Sequence, residues 1–409
     1  MRNVMDDAAR EAVASACEDV RTGVEDDLVD RVVPGLVARP TSTQQVSEVL
    51  AAAAAHGLTV VPRGQGTKLT WGVPPSSADV LVDLGGMDRV LDHQAGDLIV
   101  ETQAGARLSE LQAVVGKEGQ RLVLDETVPG ASVGGTLATN ASGPQRLLVG
   151  TARDLLIGIT VVRADGVVAK AGGRVVKNVA GYDLGKLMIG SFGTLAVVTE
   201  ALFRLHPDPP VQRWVSVRVD DPAAAHDAVQ AVVHAQVVPA AVEVDQPLEG
   251  PGTVTVLLGG KAEGVEGRVR TTRELLGAHA DVAEQPPAGW SSYPWQPGET
   301  GLKLSCVLSG LREVLATARE VGASVRGSGG TGVLHAAVPD ATRAADAVER
   351  LRAACARHQG AAVVVDAPPE VKQAVDVWGP VPALALMRRV KDQFDPDHRL
   401  APGRFVGGI

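Results

Sequence analysis

Three stretches of this chain carry residue types whose spacing suits chemistry. The first is Pro62-Arg63-Gly64-Gln65-Gly66-Thr67-Lys68-Leu69, a glycine-rich turn that follows the apolar run Leu58 to Val61. Consecutive backbone N–H groups in such a turn can cradle a phosphate. The turn is not a dinucleotide fingerprint, because Leu69 stands where G-x-G-x-x-G needs its third glycine, and it lacks the K-[ST] pair of a P-loop. The second stretch, Thr127 to Gly143, contains Gly130-Ala131-Ser132-Val133-Gly134, a formal match to the nucleophile elbow of hydrolases. An elbow needs a strand leading in, a helix behind, and Asp and His downstream. Pro129 and Gly130 interrupt any incoming strand and Gly134-Gly135 is a poor helix start, so the hydrolase is the weaker reading. The third stretch runs from Gly172 to Leu205. Its Arg174 and Lys177 point to an anionic ligand, the plain alternative being a solvated charged loop.

These stretches need elements to hold them. Thr41-Ser42-Thr43 predicts a cap for a helix that runs to Ala55 and stops at His56-Gly57. Strands are expected at 58–61, 80–84, 98–103 and 155–162, a helix at 108–115, and a hairpin turn at Ala164-Asp165-Gly166. Leu184, Leu187 and Met188 mark one face of a short helix ended by Gly190, and 194–205 alternates as a strand. Beyond His206-Pro207-Asp208-Pro209-Pro210 the order strand, helix, strand, strand, helix is read, and a second similar pass follows as strand, helix, strand, helix, strand. Two βαββ-like units predict one antiparallel sheet with helices on one face.

The totals narrow the function. The chain has 409 residues, enough for two domains of ordinary size, and it is 45% hydrophobic and 21% charged. A net charge of -9 argues against a nucleic-acid partner, which needs a basic surface. Cys17, Cys306 and Cys355 form no C-x-x-C, and the nine histidines form no H-x-H or H-x-x-H, so no metal site is expected. The acidic first residues have no apolar core of a signal peptide, and no run of about 18 apolar residues is present. A cytoplasmic protein, soluble or peripheral to a membrane at most, is the expectation.

Lys177-Asn178-Val179-Ala180-Gly181-Tyr182-Asp183-Leu184-Gly185-Lys186, the R-G-x-G-T turn at Arg63 and the P-x-x-S-V-G-G-x-x-A-x-N-A-x-G block from Pro129 stand at three separate places in the chain. Together they resemble the FAD-linked oxidases of the vanillyl-alcohol oxidase type, whose flavin fold is called PCMH-type. The ending Phe394-Asp395-Pro396 to Leu400, Pro402-Gly403-Arg404-Phe405 is similar to that family's closing motif. Within the family the chain most resembles the FAD-binding subunit of bacterial glycolate oxidase. The resemblance implies an α+β fold: a PCMH-type FAD-binding domain of two α/β subdomains, plus an antiparallel-sheet cap with helices on one face. It divides the chain into an acidic leader (1–29), the FAD domain (30–207), the cap (208–385) and a segment returning to the FAD domain (386–409).

It also implies site residues. Arg63, Gly64, Gln65, Gly66, Thr67, Lys68 and Leu69 would wrap the FAD diphosphate. Pro129, Ser132, Gly134, Gly135, Thr136 and Asn140 would follow the diphosphate and flavin ring, Arg153 would stand near the flavin, and Gly193 and Val197 near adenine and ribose. Gln65 and Thr67 occupy places where relatives that tether flavin carry a histidine, so non-covalent FAD is implied. No catalytic residue is assigned; the candidates are Lys177, Asn178 and Tyr182 in the flavin-proximal segment, and Arg326 and His335 in the cap. For Arg326 and His335 the plain alternative is a hairpin loop and a strand-end histidine. The absence of clustered cap histidines favours a subunit that works with a second flavoprotein and an iron–sulfur subunit on a small 2-hydroxy acid. A self-sufficient dehydrogenase and an FAD-bound scaffold without turnover remain as alternatives.

Overall fold

The computed structural model describes residues 5–174, 183–277 and 279–409. They fall into two compact units. The first takes in the chain up to Ala141, Thr151–Pro207 and Pro380–Ile409, and the second takes in Ser142–Gly150 and Asp208–Gly379.

The first unit is built on two sheets. Strands β1 (Val20–Thr22), β2 (Leu36–Ala38), β3 (Val60–Arg63) and β4 (Val80–Asp83) are ordered β1-β2-β4-β3. β2 and β3 run parallel to β4, and a parallel pair needs a crossover; the Thr43–Ala55 helix supplies it between β2 and β3. Ser42 starts that helix by accepting the N–H of Gln45, and Val46, Val49, Leu50 and Ala53 are its buried face. The second sheet comprises β5 (Val90–Gln94), β6 (Ile99–Gln103), β8 (Leu156–Val162), β9 (Val168–Gly172) and β10 (Val197–Arg204), all antiparallel in the order β5-β6-β10-β8-β9. A ribbon of β7 (Gln120–Arg121) and β11 (His206–Pro207) completes the unit.

The N-terminal stretch is more than a loosely packed leader. The Asp7–Ala16 helix buries Ala9 and Val13, β1 pairs with β2, and Asp27, only 2% exposed, receives Arg21 and Arg63 at 2.5 and 3.2 Å. These two guanidiniums hold the Asp27 carboxyl well below the usual carboxylate range. An acidic sequence thus reads as a solvated tail until the arginines that neutralise it are brought alongside.

The C-terminal tail docks on the first sheet. Val60 donates to Arg399 O at 2.8 Å and Ala401 donates to Val60 O at 2.8 Å, so the tail runs parallel beside β3. The preceding helix, Leu384–Phe394, buries one residue completely, and it is Lys391. The Lys391 ammonium donates to Asp395 Oδ2 at 2.6 Å, Thr194 O at 2.7 Å and Leu400 O at 3.0 Å.

The second unit is one eight-stranded antiparallel sheet. Its strands are β12 (Val211–Val219), β13 (Ala241–Gln246), β14 (Gly252–Gly260), β15 (Asp281–Ala283), β16 (Thr300–Ser305), β17 (Ser324–Ser328), β18 (Val333–Val338) and β19 (Ala362–Asp366), ordered β15-β12-β14-β13-β17-β18-β16-β19. Helices Ala262–Leu276, Pro222–Val233, Leu311–Glu320 and Ala344–Arg357 pack side by side in that sequence against it. Each half is a β-α-β-β-α-β run, and the second half lays out its strands in the reverse order of the first, joined where β13 pairs with β17. Sequence reading missed β17 because Ser324–Ser328 ends in the Gly-rich run it was assigned to. Arg326 therefore lies within a strand rather than in a hairpin loop, and His335 in the middle of β18 rather than at its end.

Removing the Lys391 ammonium leaves the Asp395 carboxylate buried and unpaired, a cost of about 3–5 kcal/mol for a pair broken from one side. Lys391→Met is expected to lower the stability of the first unit by that order in urea unfolding followed by circular dichroism. A loss under about 1 kcal/mol, the range of exposed pairs, would remove the tie's importance.

Candidate cofactor site

The glycine turn after β3 forms one wall of an open cleft within the first unit. The cleft encloses about 790 Å³ counted out to its mouth. Its walls come from Val61–Leu69, from the segment Ser132–Thr139, from the Ser191–Gly193 turn and from Arg404 of the tail.

Close backbone packing shapes this cleft. Ser132 stands at the centre: its hydroxyl caps the Val133–Thr139 helix by accepting Gly135 N–H at 3.2 Å, and it also receives Gln65 N–H at 3.4 Å. A side chain at Gly64 would overlap the Ser132 hydroxyl, and one at Gly134 would stand 2.9 Å from Ala104 Cβ. Gly193 has φ +72, where other residues are strained, and a Cβ there would come 2.6 Å from Pro62 Cγ. The helix at Val133 corrects the expectation that Gly134-Gly135 is a poor helix start. The serine cap supplies the start, and the close approach to Ala104 calls for glycine at Gly134. Ser132 is also 2% exposed with its hydroxyl engaged, which removes the nucleophile-elbow reading.

The charged groups divide into spent and unspent. Arg63 turns its guanidinium to Asp27 and Asp83, at 3.2 and 2.9 Å. Arg404 donates to the carbonyls of Leu69 and Trp71 at 2.9 and 2.8 Å, and burial pushes it down to about 10. Lys68 is 8% exposed, with its ammonium 5.7 Å from the centroid of the Trp71 ring and 3.3 Å from Thr67 Oγ1. Burial pushes Lys68 down to about 8, against the pull of Glu126.

Of the residues singled out from the sequence, the cleft brings together Arg63 to Leu69, Ser132, Gly134, Gly135 and Gly193. Thr136 and Asn140 lie on the same helix and its C-cap, and Thr136 Oγ1 and Asn140 Oδ1 are buried atoms without a hydrogen-bond partner among the described residues. Pro129 and Val197 do not line the cleft, Val197 being wholly buried in β10, and Arg153 is exposed on the Ala152–Leu155 turn. Lys177, Asn178 and Tyr182 lie outside the described residues. Sequence reading did not single out Ser191, Phe192 or Arg404 as site residues; the Ser-Phe-Gly-Thr turn and the closing Pro-Gly-Arg-Phe motif are the signals that carried them.

Within the second unit, Arg326, His335 and Lys303 are cross-strand neighbours on β17, β18 and β16. Arg326 is spent on Asp245 at 2.9 Å and on Gly289 O at 3.1 Å, so it fastens the loop before β16. His335 lies 4.5 Å from the Tyr293 ring, which stacks on Trp295 at 4.6 Å. Burial pushes His335 well below its ordinary value, with Lys303 and Arg146 adding to the effect; burial and Arg146 bring Lys303 to about 8. Trp290 meets Trp214 edge-on at 6.3 Å, so this aromatic loop is a tie-down onto the sheet. No group of three or more His, Cys, Asp or Glu among the described residues is placed to hold a metal ion.

A family model described as FAD binding domain matches residues 34–172, and one described as FAD linked oxidases, C-terminal domain, matches residues 378–405. The fold is similar to that of p-cresol methylhydroxylase, with a TM-score of 0.75 at 16% identity over 97% of this chain and 96% of that one. It is also similar to alkyldihydroxyacetonephosphate synthase, with a TM-score of 0.68 at 17% identity over 91% and 76%. The α+β architecture is thus that of the PCMH/vanillyl-alcohol oxidase type of flavin protein. Residues 34–172 and 378–405 thus match domains of FAD-linked oxidases, and the cofactor is FAD.

Its sequence is 32% identical to the glycolate oxidase subunit GlcD of Bacillus subtilis over 217 residues, 53% of this chain and 46% of that one. It is 34% identical to a D-lactate dehydrogenase of Archaeoglobus fulgidus over 42% of this chain and 39% of that one. It is 35% identical to a D-2-hydroxyglutarate dehydrogenase of Xanthomonas citri pv. viticola over 43% and 38%. The matched region thus spans less than half the length of each of these relatives.

The residues present fit this cofactor. The turn and the glycine contacts leave bare backbone for a ligand to approach along the cleft, and the helix that forms one wall carries the orphaned Thr136 and Asn140 oxygens, although neither residue lines the cleft. Gly193→Val places a branched side chain at φ +72 against Pro62. The purified variant is expected to keep its circular dichroism and to lose most of its flavin absorbance; full flavin content would mean the turn does not form the cleft wall.

Proposed function

We propose that this chain is an FAD-dependent oxidoreductase of small 2-hydroxy acids, and that it works as the FAD-binding subunit of a glycolate oxidase-type complex. The observation that carries the reading is the glycine-built cleft, where Gly64, Gly134 and Gly193 stand at positions with no room for a side chain. Bound there without a covalent link, FAD supplies the two-electron acceptor, while the protein supplies position and electrostatics. The turn Arg63 to Leu69 would hold the diphosphate, and Ser132, Gly135, Thr136 and Asn140 the region of the flavin ring.

The substrate class is supported by the relatives, whose names give glycolate, D-lactate and D-2-hydroxyglutarate, all 2-hydroxy acids. It is also supported by Lys303 and His335 in the second unit, which stand together with Arg146 and suit a carboxylate. The subunit reading rests on the likeness to GlcD and implies a second flavoprotein and an iron–sulfur partner. No helix among the described residues is long and apolar enough to cross a membrane, so a place at the inner membrane face would come through those partners.

An anaerobic absorbance spectrum of the purified chain tests this, before and after adding glycolate or D-lactate. Bleaching of the flavin band by the chain alone would make it self-sufficient, and bleaching only with partner subunits present supports the complex. A protein that takes up no FAD would sink the proposal. Lys303→Met is expected to raise the KM for the acid by ~10-fold or more, the worth of a hydrogen bond to a charged group, with flavin content unchanged.

A further inference from the structure

The R-G-x-G-T turn places Arg63 beside the glycines, where a sequence reader assigns it to the anion. The structure gives its guanidinium other work, on Asp27 and Asp83. Arg404 is likewise committed, holding the carbonyls of Leu69 and Trp71. A glycine cradle alone offers backbone dipoles, which leave the two negative charges of a diphosphate without a counter-ion.

Lys68 is the cleft-lining cation that, among the described residues, the fold commits to neither a carboxylate nor a backbone carbonyl. It stands in the turn itself, it is 8% exposed, and its ammonium has Thr67 Oγ1 at 3.3 Å and the Trp71 face at 5.7 Å. Burying an ammonium with so little compensation is costly, and a ligand anion would remove that cost. Resting on the flavin reading above, we propose that Lys68 is the counter-charge of the cofactor's diphosphate, in place of Arg63.

A proton linkage follows, with its sign. In the flavin-free chain Lys68 sits near 8 because of burial. A bound diphosphate favours the charged ammonium and raises that value. Affinity is therefore full below pH 8 and falls as the pH rises above it, by about tenfold between pH 7 and pH 9, with proton uptake on binding. The groups facing Lys68 do not share this titration. Glu126 is a carboxylate pulling the other way, Arg404 stays charged with a value of about 10, and Thr67 and Trp71 are neutral.

The test uses the full chain stripped of flavin. FAD and riboflavin, which lacks the diphosphate, are titrated by calorimetry at pH 7 and pH 9 in two buffers of different ionisation heat. Wild type is expected to weaken about tenfold for FAD over this range with proton uptake, and to be flat for riboflavin. Lys68→Met should bind FAD about tenfold more weakly at pH 7, with no proton uptake and unchanged riboflavin affinity. Lys68→Gln serves as a second variant. If wild type binds FAD with no proton uptake, or if the variants lose FAD and riboflavin affinity equally, Lys68 is not the counter-charge, although the flavin reading stands. Wild type that binds neither ligand overturns both.

Discussion

The first unit depends on a single buried cation. Lys391 sits at 0% exposure with all three of its donors used: on Asp395 of its own helix, on Leu400 O of the tail and on Thr194 O after the Gly193 turn. Taking an ammonium out of water is recovered only if every donor finds an acceptor, so this arrangement tolerates one register. That register puts Arg399 and Ala401 beside β3, from which the glycine turn leads out, and it ties down Thr194 next to the Ser191–Gly193 turn, which packs on Pro62 of the same strand. Phe192 of that turn, at φ +55, stacks on Phe405 of the tail at 5.6 Å. The cleft is lined by segments far apart in the chain, the turn at Gly64 and the turn at Gly193 that packs on Pro62, and the tail contacts both.

Much of this was legible without coordinates, and the reasons are local. The Thr43–Ala55 helix announces itself through Ser42, its alanine run and His56-Gly57, and the structure keeps the same bounds. The strands that carry the cleft are apolar runs ended by glycine or proline. What could not be read were features set by distant partners. Asp27 looks solvated until Arg21 and Arg63 arrive, Gly134 looks like a helix breaker until Ala104 demands its bare backbone, and β17 hides in a Gly-Ser run until β13 and β18 flank it. The helix at Val133 is instructive because propensity and packing disagree there. Glycine lowers helix stability by about 1 kcal/mol each, yet a capping serine and a required close approach outweigh it.

The second unit shows how a repeated topology yields one apolar and one polar face. On β16 and β18 the buried residues Leu302, Leu304, Leu334 and Ala336 alternate with Lys303 and His335. Side chains in a strand alternate faces, so the helices on one face oblige the intervening residues to emerge on the other. Because β17, β18 and β16 are neighbours in register, Arg326, His335 and Lys303 form a row that no sequence proximity would suggest. The Tyr293–Trp295 stack packs at that row, and Gly301 leaves the room that the Trp295 ring fills.

Across both units the arginines and lysines near the candidate sites divide their labour. Arg63, Arg326 and Arg404 each hold two or more acceptors of the protein itself, carboxylates or carbonyls. A rigid five-donor fork that stays charged is suited to such ties. Lys68 and Lys303 are desolvated cations left without an ion-paired carboxylate among the described residues, and both are pushed down to about 8. A compact ammonium on a flexible stem loses charge readily when buried and regains it when an anion arrives. Lys391 marks the limit of the rule, since a lysine whose three donors are all filled serves as structure. Whether a basic residue in this chain is available to a ligand therefore follows from how many of its donors the fold has already used, rather than from its place beside a glycine motif.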